Sequence, residues 1–262
     1  MTDRYTMKLQ VLVSTYGHEG LARVREMTLP HVPGVGYLVV CQGERCDSGI
    51  ARDDVDVRFI DGRGLSANRN AALDMATAPV VLIADDDLHY TATGLKHVMD
   101  AFDRDAALSL AAFMHEGADA RTYPPAECDL RPSRPGRRHY PYSFEIALRL
   151  GDVRRHNLRF SELAGINAPF LGAGEEDLFV HHALEKGLRG RFIPKVVVRH
   201  PGHTTVMRTP TPAVARARGA VLRILYPRTA LLRMARLALT HGVPWRHMWQ
   251  GWLYAGRHRR EL

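Results

Sequence analysis

The stretch APVVLIADDDLHY, residues 78–90, constrains this chain more than any other. Val80, Val81, Leu82 and Ile83 form an unbroken apolar run, bounded by Pro79 before it and by Asp85, Asp86 and Asp87 after it. Such a run predicts a central strand of a parallel sheet, buried on both faces. Three adjacent carboxylates repel one another, and each resists ionisation unless a cation offsets the charge. Open α/β sheets bind ligands just beyond the carboxyl ends of their strands. The cluster therefore reads as a seat for Mg²⁺ or Mn²⁺, with the remaining coordination positions left to substrate phosphates. A solvated Asp-rich turn is the alternative, but it leaves unexplained why the charge is packed onto the end of the most apolar strand.

The chain before this strand alternates strand and helix. LQVLVSTYG (9–17) predicts a first strand, with Thr15 at the carboxyl end where a nucleotide would be met. A helix from near Glu19 carries Leu21, Val24 and Met27 at helical spacing and ends before Pro30 and Pro33. GYLVVCQG (36–43) is a second buried strand ending at Gln42, whose carboxamide can both donate and accept toward a pyrimidine edge. A lone Gln at a strand end is also ordinary surface. DVRFIDGRG (56–64) gives a third strand with Asp61 at its end. Ser66 reads as the N-cap of LSANRNAALDMA (65–76), with Ala72 and Leu73 facing inward. Arg69 and Asn70 lie early in that helix, where Arg69 can reach a diphosphate or merely sit on a solvated face. The order predicts an α/β fold with a doubly wound, mostly parallel central sheet. No Gly-x-Gly-x-x-Gly and no Walker-type loop follow the first strand.

Beyond residue 90 the pattern loosens. LKHVMDAF (95–102) predicts a short helix, ALSLAAFM (107–114) a strand, and FEIALRL (144–150) an edge strand or short helix. Residues 117–141 are rich in Pro, Arg and Gly, the mark of a functional or disordered stretch. GAGEEDLFVHHALEKG (172–187) opens an amphipathic helix with Glu175, Glu176 and Asp177, which favourable capping alone would explain. RFIPKVVVRHPGHTT (191–205) is a strand ending at His200, with His203 close behind. His200 is a ligand-type residue at the same kind of sheet edge as the aspartates.

The net charge of +8 is unevenly placed: residues 206–262 hold eleven Arg against Glu261, a balance of +10, so residues 1–205 sum to −2. A basic nucleic-acid-binding protein is a rival reading, but the Arg excess is confined to the tail, which has no zinc or aromatic–basic stacking pattern, so no nucleic-acid partner is expected. Cys41, Cys46 and Cys128 form no Cys-x-x-Cys pair, which fits reduced thiols in the cytoplasm. The mixed N-terminus MTDRYTMKLQ predicts no secretory signal. No run approaches the ~18 apolar residues that a membrane span requires. In the tail, Val214, Val221, Leu222, Leu225, Leu231, Leu232 and Leu239 recur at helical intervals among arginines, and Pro227 divides two helices. Trp245, Trp249, Trp252 and Tyr254 follow Pro244. This predicts either helices packed on the main domain or a basic amphipathic segment lying on an anionic membrane surface.

Four blocks in order, VSTYG, GLSANRNAAL, ADDD and GAGEEDLF followed by VVVRH, make residues 8–205 resemble the family 2 glycosyltransferases with the GT-A fold that build bacterial surface polysaccharides. The resemblance implies a catalytic domain over 1–205, with a nucleotide-binding half at 1–90 and an acceptor half at 91–205. Residues 206–262 form a helical extension. It implies a metal-dependent, inverting sugar transfer from a nucleoside-diphosphate sugar, a UDP-sugar first, to a glycan or lipid-linked acceptor. By the same resemblance Asp85 and Asp86 hold the donor, Asp87, Asp85 and His200 hold Mn²⁺ or Mg²⁺, and Arg69 and Asn70 lie near the nucleotide. Thr15, Gln42 and Asp61 complete the donor side. The general base falls on Glu176 or Asp177, and acceptor choice on residues 115–165. The implied location is cytoplasmic, at the inner face of the membrane. The chain departs from the family after its second strand, where Cys41-Gln42-Gly43 replaces base-reading aspartates and leaves the nucleotide open. A nucleotidyltransferase of related fold would instead carry a Gly-rich activating loop, which VSTYGHEG is not.

Overall fold

The apolar run forms strand β4 (Val80–Ala84), every residue of which is buried. It lies beside β1 (Leu9–Tyr16), and β2 (Val35–Gln42) and β3 (Val55–Ile60) extend the sheet outward, all four strands parallel. The structure, a computed structural model, describes residues 6–117, 122–131, 141–201 and 211–262. Much of the Pro- and Arg-rich stretch, His203 and residues 206–210 lie outside the described residues.

The alternation of side chains along β1 sorts the core into two layers. Leu9, Val11 and Val13 meet Leu21 and Val24 of α1 (Gly17–Glu26) and Leu95, Val98 and Phe102 of α3 (Ala92–Arg104). On the other face Leu12 joins Val81 and Ile83 against Ala72 and Leu73 of α2 (Leu65–Met75) and Phe179 and Val180 of α5 (Glu175–Glu185). Each such side chain removed from water contributes about 1.5–3 kcal/mol, which is why both faces of the strand must be apolar.

The far half of the sheet is mixed. Its order is β3-β2-β1-β4-β8-β6-β9-β5, where β5 is His89–Tyr90, β6 is Leu110–Gly117, β8 is Ile146–Arg149 and β9 is Gly190–His200. β8 runs antiparallel to both β4 and β6, and β7 (Cys128–Asp129) adds to β9. FEIALRL is therefore neither an edge strand nor a short helix: Phe144 to Glu145 make a 3₁₀ turn with Ser143, and Ile146, Ala147 and Leu148 sit fully buried in mid-sheet. The mostly parallel character expected holds in the first four strands and in β6 with β9. Helix α4 (Leu150–Arg155) follows β8 directly. Ser66 is not the cap of α2: Gly64 occupies that position with φ of +152°, which suits glycine, and Ser66 Oγ donates to Ala164 O at 2.7 Å.

The tail folds as α6 (Pro212–Leu225), α7 (Ala230–His241) and α8 (Trp245–Arg257), with Pro227 between the first two as predicted. α6 buries Ala217, Ala220, Ile224 and Leu225 against Ala164, Leu171 and Leu178. α8 crosses α6 at two glycines, where a Cβ on Gly219 would lie 1.9 Å from Met248 O and one on Gly251 would lie 1.8 Å from Arg216 O. Among the described residues no helix is long and apolar enough to cross a membrane. Because backbone atoms cannot yield, Gly251→Val should destabilise the chain by about 3 kcal/mol in urea unfolding. Gly151→Ala, in α4 with open space around the new methyl, should be neutral or up to ~1 kcal/mol stabilising. Equal stability of Gly251→Val and the parent chain would mean that α8 is not held on α6 in this way.

Candidate active site

The entry of α2 places Arg69 beneath the carboxyl edge of β4, where its guanidinium is 2% exposed. Nη1 donates to Glu175 Oε1 at 2.7 Å, and Nη2 donates to Asp85 Oδ1 at 2.8 Å and to Ser143 Oγ at 2.7 Å. The Phe160 ring lies under it, 5.5 Å from the guanidinium carbon to the ring centre. Burial works against the Arg69 charge, and Asp85 and Glu175 outweigh it. One planar fork thus ties α2 to β4, to the start of α5 and to the turn before β8.

The three aspartates of the acidic cluster have separate partners. Asp86 accepts Thr15 Oγ1 at 2.6 Å and both Nε and Nη2 of Arg23, at 3.0 and 2.8 Å. Gly20, one turn before Arg23, makes this approach possible, since a Cβ there would lie 2.1 Å from Thr15 Oγ1. Burial pushes the Asp85 carboxyl up from its ordinary value against the pull of Arg69, and the Asp87 and Asp86 charges add to the push. Asp87 Oδ2 lies 3.4 Å from His200 Nε2, while its Oδ1 is shut off from water and has no hydrogen bond with the described residues. His200 is buried at the end of β9 and stacks on Phe144, with ring centres 5.2 Å apart.

These groups line one cleft of about 220 Å³ that includes Asp85, Asp86, Asp87, Glu175, Glu176 and His200, with Arg69 the one guanidinium among the described lining residues. Glu176 Oε2 is closed off from water without a hydrogen bond to the described residues, although part of the side chain remains exposed. Burial raises the Glu176 carboxyl well above the usual carboxylate range, and the charges of Glu175 and Asp177 raise it further. Asp177 does not line the cleft. Five carboxyl groups share two guanidinium groups, Arg69 in the cleft and Arg23 behind Asp86, and Asp87 is held by neither. Asp87 with the His200 imidazole offers oxygen and nitrogen donors to a divalent cation. The residues present fit such a cation. Among the described residues, the group of three whose ligand atoms lie within 4.8 Å of one another is elsewhere, at His31, Asp53 and Asp54. There Asp54 is already held by Arg52.

The remaining predicted residues have other places. Thr15 reaches the site through Asp86. Gln42 is buried, and its Oε1 accepts the Gly64 backbone N–H at 3.0 Å, fastening β2 to the entry of α2. Asn70 turns away from the cleft and pairs with the Phe160 backbone through both ends of its amide, at 2.9 Å each. Asp61 is exposed beyond β3 and does not line the cleft. Sequence reasoning missed Arg23, Ser143 and Asn68; Asn68 Nδ2 donates to Thr15 O and Val40 O and so locks the ends of β1 and β2 together. The spacing of Gly20 and Arg23 on one face of α1 was the available signal for Arg23.

Removing Arg69 would leave Glu175 buried without its counter-charge. Arg69→Met should therefore cost about 3–5 kcal/mol in chemical unfolding, and adding Glu175→Gln should recover part of the loss. A double variant no more stable than Arg69→Met alone would refute the pairing.

Residues 48–158 match the family model described as glycosyl transferase family 2. No curated protein sequence matches the chain significantly. Among solved structures, the S. aureus TarS 1-349 complex with UDP-GlcNAc is 17% identical, with a TM-score of 0.60 over 84% of this chain and 67% of that one. TarS 1-349 alone aligns over 98% of this chain and 92% of that one, at 16% identity and a TM-score of 0.58. Against the longer S. aureus TarS the TM-score is 0.57 at 18% identity, and this chain covers 40% of that length. The strand order built outward from β4 and the acidic cluster at its end agree with these likenesses: the fold is the GT-A fold of these structures, and residues 48–158 are similar to the glycosyl transferase family 2 model.

Proposed function

We propose that the chain is an inverting glycosyltransferase that moves a sugar from a nucleoside-diphosphate sugar, a UDP-sugar first, to a glycan or lipid-linked acceptor in cell-envelope polysaccharide synthesis. The observation that carries the reading is the cleft in which Arg69 braces Asp85 and Glu175 while Asp87, His200 and Glu176 line the same space. The family 2 match over residues 48–158 and the fold shared with TarS, crystallised with UDP-GlcNAc and with UDP, support it.

In this reading Glu176 takes the proton of the acceptor hydroxyl. The freed oxygen bonds to the anomeric carbon as the bond from that carbon to the diphosphate oxygen breaks, and the electron pair departs with the nucleoside diphosphate. Glu176 is preferred to Asp177 because it lines the cleft and because a raised carboxyl makes a stronger base near neutral pH. Asp85 and Asp86, oriented by Arg69, Thr15 and Arg23, face the donor, with Asp61 at the outer end of the nucleotide side. Gln42 and Asn70 act by holding the walls of that side in place. Mn²⁺ or Mg²⁺ held by Asp87 and His200, with Asp85 beside them, would supply positive charge to the departing diphosphate. The catalytic unit takes in α6, since Val214 lines the cleft, so we draw its limit after residue 225 and not at 205. A lipid-linked acceptor would bring the enzyme to the cytoplasmic face of a membrane.

Two comparisons test this reading. Glu176→Gln should lose turnover by at least ~10²-fold with UDP binding retained, while Asp177→Asn should stay within a few-fold of the parent. Turnover needs ionised Glu176, so the parent's activity should fall on the acid side well above pH ~4.3. The stability effect has the opposite sense. The folded chain holds this proton more tightly than the unfolded chain, so the parent loses stability as pH rises from ~4.3 through the raised value. The melting-temperature advantage of Glu176→Gln should therefore grow with pH. Separately, UDP should raise the melting temperature with Mn²⁺ present and lose most of that effect in EDTA or in Asp87→Asn. Equal activity of the parent and Glu176→Gln, or full transfer in EDTA, would overturn the assignment concerned.

A further inference from the structure

The tail does not act as one unit. α6 is packed into the main domain, whereas α7 and α8 turn an apolar and basic face outward. Leu231, Leu232 and Leu239 of α7 are 45, 74 and 87% exposed, and Trp245, Trp249 and Leu253 of α8 are 42, 38 and 38% exposed. These are six of the eleven exposed large apolar side chains among the described residues, gathered within one helix pair. Leu232, Arg236 and Leu239 share a stripe of α7 at intervals of four and three residues. On α8 the indole rings form a stack, Trp245 on Trp249 at 6.5 Å and Trp249 on Trp252 at 4.9 Å. The Arg223 guanidinium of α6 lies 3.7 Å from the Trp252 ring centre and fixes the base of the stack.

Charge selects the occupant of this face. Arg228, Arg236, Arg246 and Arg257 are exposed and form no ion pair among the described residues. Within 211–262 the one acidic side chain is Glu261, which lies 3.4 Å from His258. A second copy of the chain seated on this face would set arginine against arginine. An anionic bilayer meets every feature: guanidinium groups pair with lipid phosphates, indoles suit the headgroup level, and leucines enter the acyl boundary.

We propose that the outer face of α7 and α8 docks on an anionic lipid bilayer. The inference rests on the function proposed above for its purpose, a lipid-linked acceptor. α6 joins the two sites, because Val214 lines the cleft and Arg223 supports the indole stack. Nine residues of helix separate them, about 14 Å along the axis.

Flotation of the full chain with vesicles tests the proposal. The protein should rise with vesicles of equal parts phosphatidylglycerol and phosphatidylcholine at low salt, stay behind with pure phosphatidylcholine, and detach as salt is raised. Leu232→Glu combined with Leu239→Glu, at the two most exposed leucines, should lower the bound fraction at least ~10-fold. Arg236→Glu with Arg246→Glu should do the same. Each variant should keep the parent's melting temperature and its UDP–Mn²⁺ thermal shift. A chain that never floats with anionic vesicles, or a leucine variant that floats as the parent does, overturns the proposal. So does a dimer in light scattering that the leucine variant dissociates while the parent fails to float. Flotation that survives alongside absent UDP binding would instead contradict the proposed enzyme activity and leave the docking face standing.

Discussion

A guanidinium withdrawn from water holds this structure's chemistry together. Arg69 gives up its hydration at considerable cost, and only several well-aligned acceptors offset that cost. Asp85, Glu175 and Ser143 supply them from three segments that are 16, 106 and 74 residues away in sequence. Lysine would not serve, because a point charge cannot bond carboxylates on two sides in one plane. The arrangement fixes the cleft's geometry before any ligand arrives. It also divides the labour of the carboxyl groups: Glu175 neutralises Arg69, which leaves Glu176 to face the cleft with its carboxyl raised.

The same logic of close approach recurs outward from the cleft. Gly20 lets α1 come near enough for Arg23 to grip Asp86, and Asn68 clamps the ends of β1 and β2 that frame it. Asp87 sets Oδ2 beside the imidazole of His200 and leaves Oδ1 without a hydrogen bond among the described residues. The α6–α8 crossing at Gly219 and Gly251 repeats the device in the tail, where it holds the tryptophan stack against Arg223.

What the sequence disclosed and what it withheld follow from the range of the interactions involved. β4 and its aspartates were legible because an apolar run and a charge cluster are local patterns, as were α2, α5 and the division of the tail at Pro227. β8 was misplaced at an edge because Ile146–Leu148 read alike for any buried strand, and its antiparallel insertion depends on pairing with Leu82 and Ala111. Ser66 looked like a cap because its hydroxyl is the usual kind, yet its partner, Ala164 O, is 98 residues away. Spacing could not separate Glu176 from Asp177; only the fold shows that Glu176 lines the cleft and Asp177 does not. Gln42 and Asn70 were visible as polar residues at the right edge, but their partners are backbone atoms that only the fold brings near. In the tail the leucine stripe was visible, while its split between Leu225 inside and Leu232 and Leu239 outside was not.

The central claim is that the Arg69-braced cleft is a donor site in which Asp87 and His200 receive a divalent cation together with a nucleoside diphosphate. Anomalous diffraction from a crystal grown with UDP and Mn²⁺ tests it most directly. The account predicts a manganese peak within about 2.2 Å of Asp87 oxygen and of His200 nitrogen, bridged to the diphosphate. A peak confined to His31, Asp53 and Asp54, or UDP bound in the cleft with no manganese beside Asp87, would contradict it.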